Sequence, residues 1–262
     1  MAKTPWQGRI RRAEHLAAQH PFAAEILGFY IHAARFQEGL HQRLERRSNK
    51  NPPSLSAPPD SPELIASFPP FLTVVEENGP VRLAQVAHDL RSSSSSSWTD
   101  LLTRCWINLD PPADPAEFLA FAFLQPYAEF LRARVPLQLE TYSLALCPLC
   151  NRDPALAILR PQGDGGRRSL LCGFCLTEWE FRRIVCPGCG QKDHAKLPVY
   201  TAETFPHIRV ECCDACHTYV KSIDLTKSGL ADPLVDELAS IPLDLWAQEH
   251  GYAKLRPNLL GM

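Results

Sequence analysis

The 262-residue sequence has no long apolar run. A membrane-spanning helix needs about 18 or more predominantly apolar residues in succession, and no stretch approaches that length. The N-terminal segment, MAKTPWQGRIRRAEHLAAQHP, carries charges throughout and lacks the apolar core and small-residue cleavage site of a secretory signal. We therefore expect a cytoplasmic protein that does not insert into a membrane.

The sequence also lacks an excess of positive charge and the common catalytic motifs. Its 27 Lys and Arg residues are nearly balanced by 29 Asp and Glu residues, which gives a formal net charge of -2. No global positive field would hold such a chain on nucleic acid or an anionic membrane. A P-loop, a dinucleotide-binding glycine motif, a Ser-His-Asp signature and a catalytic carboxylate pair are all missing. We predict a protein that is not an enzyme and has no catalytic residues.

Cysteine is almost absent from the first half of the chain, because nine of the ten cysteines lie between residues 147 and 216. The exception, Cys105, lies in an apolar stretch that predicts a buried thiol. In a reducing compartment, clustered cysteines are more typical of metal ligands or redox groups than of structural disulfides. The predicted domains are a helical domain at 1–140, a first ribbon at 141–184, and a second ribbon with a C-terminal helical segment at 185–262.

The first half shows the apolar periodicity of helices. Two helices are predicted before residue 48, separated at His20-Pro21, because proline is tolerated at the start of a helix and disfavours helix in the residue before it. Because this periodicity does not depend on the thiols, we expect the helical half to stay folded without metal. The other predicted elements are an exposed linker rich in Pro, Ser and Asn at residues 49–62, a helix pair at 63–77 and 81–90, a flexible loop at the serine run 92–97 that ends in a helix cap before Trp98, and a core helix pair at 114–134 with a kink or break at Pro126.

The second half carries four CxxC pairs, each typical of a knuckle that directs two sulfur atoms at one metal ion. The intervals from Cys150 to Cys172 and from Cys189 to Cys213 contain 21 and 23 residues, and both show a strand-turn-strand pattern. Two tandem ribbons, each with a tetrahedral set of four thiolates, are therefore predicted. Proximity along the chain favours pairing of neighbouring knuckles, and interleaved pairing is the alternative. The predicted ligands are Cys147, Cys150, Cys172 and Cys175 in the first ribbon, and Cys186, Cys189, Cys213 and Cys216 in the second.

The segment that contains the knuckles also carries Cys212, two arginine pairs and three histidines. Cys212 adjoins Cys213, and the CxxC spacing selects Cys213 as the ligand. A set of four thiolates accepts zinc and iron alike, and structural zinc is the more general case.

Residues 147–225 contain ten Lys and Arg against nine Asp and Glu, so the added negative charge of the thiolates would make this segment a poor surface for nucleic acid. Solvated side chains are predicted for Arg167, Arg168, Arg182 and Arg183, and a role other than metal binding is predicted for His194, His207 and His217.

Six segments follow one another along nearly the whole chain in a specific order. They are RIRRAEHLAAQHPFAAEILGFY, CPLC, LCGFCLTEW, CPGCG, VECCDACHTYVKSID and DPLVDELASIPLDLWAQEHGY. In this order they resemble the bacterial formate dehydrogenase accessory proteins of the FdhE type. The proline-rich segment after Lys50 and the serine run are local features outside this resemblance.

The resemblance implies a cytoplasmic maturation factor that acts on the catalytic subunit of respiratory formate dehydrogenase before export. It implies rubredoxin-like sites at the same eight cysteines, with Cys212 outside the pattern, and two mononuclear ions for which iron is favoured over zinc. The expected fold class is α+β, an N-terminal all-α domain followed by two tandem rubredoxin-like or zinc-ribbon modules. The alternative functions are a small rubredoxin-like electron-transfer protein and a zinc-ribbon nucleic-acid-binding protein.

Overall fold

The first half of the chain is helical. The structure, a computed structural model, describes residues 5–47, 59, 61–163 and 165–258. The first two helices are separated by a 3-10 turn at Pro21–Ala23, which confirms the break predicted at His20-Pro21. No helix among the described residues is both long enough and apolar enough to cross a membrane. The helices of this half are α1 (Pro5–Gln19), α2 (Ala24–Arg47), α3 (Pro62–Ala66), α4 (Phe68–Asn78), α5 (Val81–Arg91), α6 (Ser95–Ile107) and α7 (Pro115–Arg132).

Serine caps account for two boundaries that differ from the sequence prediction. The Ser61 side chain accepts a hydrogen bond from the backbone N–H of Leu64 and caps α3, so Ser61 and Pro62 belong to a helix start. Most of the predicted linker lies outside the described residues. The Ser94 hydroxyl likewise accepts from the backbone N–H of Ser97. As a result α6 begins at Ser95, within the serine run rather than after it.

Helix α7 is continuous through Pro126, so the predicted pair of helices in this segment is wrong. Proline lacks the N–H that would bond to the carbonyl oxygen of Ala122, four residues earlier. Gln37 of α2 supplies the missing donor, because its Nε2 lies 2.6 Å from that oxygen. The buried carbonyl therefore keeps a partner, and the helix continues without a break.

We expect Gln37→Leu to lower the free energy of unfolding by about 1–3 kcal/mol, because it leaves the buried Ala122 carbonyl without a donor. In a Pro126→Ala background the loss should be smaller, since the restored N–H at position 126 can reach the same oxygen. Urea unfolding of the four proteins measures this coupling. An equal loss in both backgrounds would contradict the proposed compensation.

The second half is built on a seven-stranded sheet, in which the strand order is β3-β2-β1-β6-β5-β4 and β7 pairs with β6. Strands β1 to β3 form an antiparallel first ribbon, and β4 to β6 form an antiparallel second ribbon. Both hairpins predicted between the knuckles are confirmed. The elements are β1 (Pro154–Gln162), β2 (Gly165–Cys172), β3 (Glu178–Glu180), β4 (Val199–Ala202), β5 (Phe205–Cys213), β6 (Thr218–Asp224), α8 (Pro233–Ala239), α9 (Ile241–Glu249) and β7 (Ala253–Lys254).

A short parallel pairing joins the two ribbons into one sheet. Ala157, Ile158 and Leu159 of β1 pair with residues 222–224 of β6. The helical core extends into the first ribbon through buried residues such as Leu170 and Trp179. A smaller core lies between the sheet and α8 and α9. Helices followed by two ribbons confirm the α+β class, whereas the predicted domain boundaries remain a prediction.

Arg168 of β2 corrects the expectation that its side chain is solvated, because it is only 3% exposed. Its Nε and one terminal nitrogen donate to the carboxylate of Glu211 on β5 at 3.0 and 2.7 Å. The other terminal nitrogen donates to the carbonyl oxygen of Arg182 at 2.9 Å. A buried charge needs such partners, and this ion pair links the two ribbons. Arg182 and Arg183 are exposed, as predicted.

Candidate metal centres

Eight cysteine thiols lie in two groups of four, and within each group the Sγ atoms lie within 4.8 Å of one another. Each group joins two knuckles that are neighbours along the chain, so the interleaved arrangement is not the one observed. Metal binding by these eight thiols stays a prediction. The first cluster contains Cys147, Cys150, Cys172 and Cys175, and the second cluster contains Cys186, Cys189, Cys213 and Cys216.

Sulfur separations suit a shared ion better than disulfide bonds. In the first cluster, the sulfur atoms of Cys150 and Cys172 lie 3.4 Å apart. In the second cluster, those of Cys189 and Cys213 lie 3.7 Å apart. A disulfide requires about 2.05 Å, and all ten cysteines are free. A tetrahedral ion bound about 2.3 Å from each sulfur sets the sulfur atoms about 3.8 Å apart, which is close to the observed separations.

Every knuckle places the residue after its second cysteine in the left-handed backbone region. Three of these residues have side chains, and within the described part of the chain no other non-glycine residue has a positive φ. The left-handed conformation costs such residues about 1–2 kcal/mol. Backbone strain of this kind is typical of functional sites, and among the described residues it is confined to the knuckles. The four residues are Asn151 (φ 58°), Leu176 (φ 55°), Gly190 (φ 76°) and His217 (φ 55°).

Two threonines that the sequence analysis missed contact the clusters. The hydroxyl of Thr177 lies 3.1 Å from Cys175 Sγ, and that of Thr218 lies 3.1 Å from Cys216 Sγ. The signal for them is the repeat of CGFCLT as CDACHT, in which a threonine stands two residues after the second cysteine. Hydrogen bonds donated to sulfur stabilise thiolate charge.

Backbone amides also donate to the cluster sulfur atoms. The N–H of Phe174 donates to Cys172 Sγ at 3.4 Å, and the N–H of Gly188 donates to Cys186 Sγ at 3.3 Å. In both cases the donor lies two residues after the first cysteine of its knuckle. Such bonds orient the ligands of a metal site and moderate their charge.

The two clusters differ in burial. Cys172 and Cys175 of the first cluster are fully buried, whereas Cys189 of the second is exposed. Burial raises the pKa of Cys172 and of Cys175 well above the ordinary thiol value. Hydrogen bonds from the neighbouring thiols lower the pKa of Cys150. Four thiolates at this spacing would repel one another strongly, so complete deprotonation requires a cation among them.

Buried Arg152, the second residue after Cys150, fixes the first cluster against the end of α6. One of its terminal nitrogens donates to three backbone carbonyl oxygens at 2.9–3.0 Å. Its guanidinium also lies 4.2 Å from the ring centre of Phe174, inside the second knuckle. A positive charge is favourable at a helix C-terminus. The three acceptors belong to Cys105, Trp106 and Asn108.

Neither cysteine outside the clusters can join them. Cys212 and Cys213 are consecutive in β5, so their side chains point to opposite faces of the sheet. Cys213 joins the second cluster, whereas Cys212 packs in the core beneath α9. Burial raises the pKa of Cys212 to about 12. Cys105 is buried, as predicted, and burial also raises its pKa to about 12.

The three histidines near the knuckles join neither cluster. His207 lies on β5, and its Nε2 is 2.7 Å from a carboxylate oxygen of Asp236 in α8. Arg12 of α1 donates to the same carboxylate. His207 therefore takes part in an interface between the helical half and the second ribbon. The other two are His194 and His217.

The second half of the chain matches two family models, described as "FdhE, central domain" over residues 146–183 and "FdhE, C-terminal domain" over residues 184–260. A protein FdhE homolog of Aquifex aeolicus is 28% identical over 96% of this chain and 94% of its own. A protein FdhE homolog of Haemophilus influenzae is 28% identical, and the match covers 96% of this chain and 86% of the homolog's length. One of Pseudomonas aeruginosa is 36% identical over 46% of this chain and 41% of its own.

The fold and the clusters define a class of proteins with a helical N-terminal half and two tandem four-cysteine ribbons. The crystal structure of the FdhE protein from Pseudomonas aeruginosa has the same architecture, with a TM-score of 0.70, 25% sequence identity and coverage of 97% of this chain and 95% of that chain. The two FdhE family models, the FdhE homologues that match over nearly the whole chain and the FdhE crystal structure confirm the resemblance found in the sequence.

Proposed function

We propose that this protein is a cytoplasmic maturation factor, without enzymatic activity of its own, for the catalytic subunit of formate dehydrogenase. The observation that carries the proposal is the pair of four-cysteine clusters on an FdhE fold. Four thiolates leave a tetrahedral ion no open position for a substrate or an activated water. The clusters therefore suit structural support or electron exchange better than metal-assisted hydrolysis.

The proposal includes one mononuclear metal ion in each cluster, with iron favoured over zinc. The sulfur spacing and the hydrogen bonds donated to sulfur support a tetrahedral ion of either element, and the rubredoxin-like character implied by the family resemblance favours iron. We expect two ions per chain and the visible absorption of ferric thiolate after anaerobic purification. A colourless protein that contains two zinc ions would overturn the preference for iron.

We expect a chelator to remove metal from the two clusters at different rates. The second cluster should empty first, because Cys189 is exposed whereas the first cluster is buried in the core. Metal released over time, measured by mass spectrometry, should follow a fast and a slow phase of one ion each. The fast phase should disappear in a Cys186→Ser/Cys189→Ser variant, and its persistence there would contradict the assignment.

A rubredoxin-like electron carrier is the second candidate function, and the exposure of Cys189 favours it. An exposed ligand allows a redox partner to approach the ion. Reversible one-electron reduction of the purified protein would support this candidate, whereas a site that cannot be reduced would exclude it. A zinc-ribbon nucleic-acid-binding protein is disfavoured by the net charge of -2.

Gene deletion in the host tests the proposed maturation role. Formate oxidation should be lost while the catalytic subunit is still present, and the wild-type gene should restore activity. A Cys213→Ser/Cys216→Ser variant should not restore it. Cys212→Ser is the matched control, because this neighbouring thiol lies on the opposite face of β5, and it should restore activity. Undiminished formate oxidation in a deletion strain without a redundant homologue would overturn the proposal.

A further inference from the structure

The two ribbons contain the same elements in the same order along the chain: a knuckle, a two-stranded hairpin, a second knuckle and a third strand. By this order, β4 of the second ribbon corresponds to β1 of the first. The outer edge of β1 is occupied, because β6 pairs with it in parallel. On the equivalent outer edge of β4, no strand is paired within the described part of the chain. The repeat thus contains one edge that has received an additional strand and one equivalent edge that has not.

Backbone groups of β4 are directed at this outer edge. The N–H of Cys212 donates to the carbonyl oxygen of Pro198 at 2.9 Å, and Tyr200 stands opposite Val210 in the next bonded position. Residues of an antiparallel pair alternate between bonding the neighbouring strand and pointing away from it. Val199 and Thr201 therefore direct their N–H and C=O groups outward. Such groups are complementary to another extended backbone.

Apolar surface flanks β4 on both faces of the sheet. On one face lies a crevice of about 370 Å³, in which Val199 and Ile184 are 53% and 57% exposed. On the other face Tyr200 packs against Trp246 of α9, with 4.6 Å between ring centres. A strand added beside β4 would direct alternate side chains to these two surfaces. The crevice is also lined by Val185, Leu197, Val220 and Leu255.

The crevice carries an arginine without a described counter-charge. Arg168 and Arg209 line it, and they pair with Glu211 at 2.7 Å and Asp224 at 2.5 Å. Arg183 also lines it and is exposed, and among the described residues it takes part in no salt bridge. An acidic side chain on the added segment would supply the missing charge.

We propose that the outer edge of β4 binds an extended segment of the client polypeptide as an additional strand, with apolar side chains in the crevice and an acidic side chain at Arg183. The segment occupies the place at β4 that β6 occupies at β1. This inference rests on the proposed function, since it takes the client to be the catalytic subunit of formate dehydrogenase. Backbone pairing supplies affinity, and the alternate side chains supply selectivity.

The proposed binding at the outer edge of β4, here called the docking edge, is tested by the affinity of purified full-length protein for the purified catalytic subunit of formate dehydrogenase. Val199→Asp and Arg183→Glu should each weaken binding about tenfold or more, with metal content and circular dichroism unchanged. The effect of Arg183→Glu should shrink in high salt, which screens exposed charges. Two matched controls should bind like the wild type. They are Arg182→Glu, an exposed neighbour outside the crevice, and Leu230→Asp, an apolar residue that is 87% exposed.

Hydrogen exchange distinguishes strand addition from other contacts. The amides of Val199 and Thr201 should gain protection when the wild-type protein binds the catalytic subunit. If Val199→Asp and Arg183→Glu both bind with wild-type affinity, or if the amides of Val199 and Thr201 stay unprotected in the complex, the proposed binding at the docking edge is wrong. The proposed function would not be affected by either result. Failure of the wild-type protein to bind the subunit would overturn both. Conversion of a dimer to a monomer by Val199→Asp in light scattering would assign the edge to a second copy of this chain and overturn the proposal.

Discussion

Replacing Cys172 and Cys175 by serine is expected to remove one metal ion and most of the folded population. The knuckle formed by these two cysteines belongs to the helical core, called the main core below. Within it, the ring centre of Phe174 lies 4.6 Å from that of Phe121 and 5.4 Å from that of Trp106. A structural ion of this kind contributes about 10 kcal/mol or more to folding, which is comparable with the whole stability of a typical domain, about 5–15 kcal/mol. Thermal unfolding followed by circular dichroism, together with metal analysis, measures both losses.

The matched variant for this experiment is Cys186→Ser/Cys189→Ser. It should also lose one ion, but the helical signal should remain, because none of the second-cluster cysteines belongs to the main core as described. Equal loss of helix in the two variants would contradict the difference. The sequence predicts a helical half that folds independently of the thiols, and the shared core around Phe174 changes this expectation for the first cluster.

Arg152→Met is expected to lower the free energy of unfolding by about 3 kcal/mol or more, because it leaves the buried carbonyl oxygens of Cys105 and Trp106 without their donor. The methionine keeps much of the side-chain volume, so the loss reports mainly on charge and hydrogen bonding. Urea unfolding followed by tryptophan fluorescence measures it. The exposed Arg182→Met is the control, and a difference of less than 1 kcal/mol between the two variants would contradict the role assigned to Arg152.

The knuckles and hairpins could be predicted from the sequence because their determinants are local. A CxxC pair brings two sulfur atoms together within one turn, and the strand pattern between knuckles needs only its own residues and the turn that joins them. Proximity along the chain also favoured the observed grouping of the thiols. Cys213 was selected over Cys212 by spacing alone, and strand alternation explains why only one of the two faces the cluster.

The features that could not be predicted depend on residues far apart in the chain. Pro126 is an ordinary helix breaker until Gln37, 85 positions before Ala122, bonds to the Ala122 carbonyl that the proline leaves free. Arg168 becomes buried because Glu211, 43 positions later, neutralises it across the sheet. A short-range pattern of apolar and polar residues around Pro126 or Arg168 gives no information about Gln37 or Glu211. The parallel pairing of β1 with β6 has the same character, since no turn connects the two strands.

The left-handed residues of the knuckles have a consequence for the order of events in the cell. Without an ion, Leu176 and His217 gain about 1–2 kcal/mol each by returning to ordinary backbone conformations, which would move the adjacent sulfur atoms apart. If each cluster binds an ion as proposed, a fully formed set of four sulfur atoms without the ion would be disfavoured, and uptake of the ion would be part of folding rather than a later addition. A newly synthesised chain would then compete for metal during its first moments, and the supply of metal at that time would set how many chains mature.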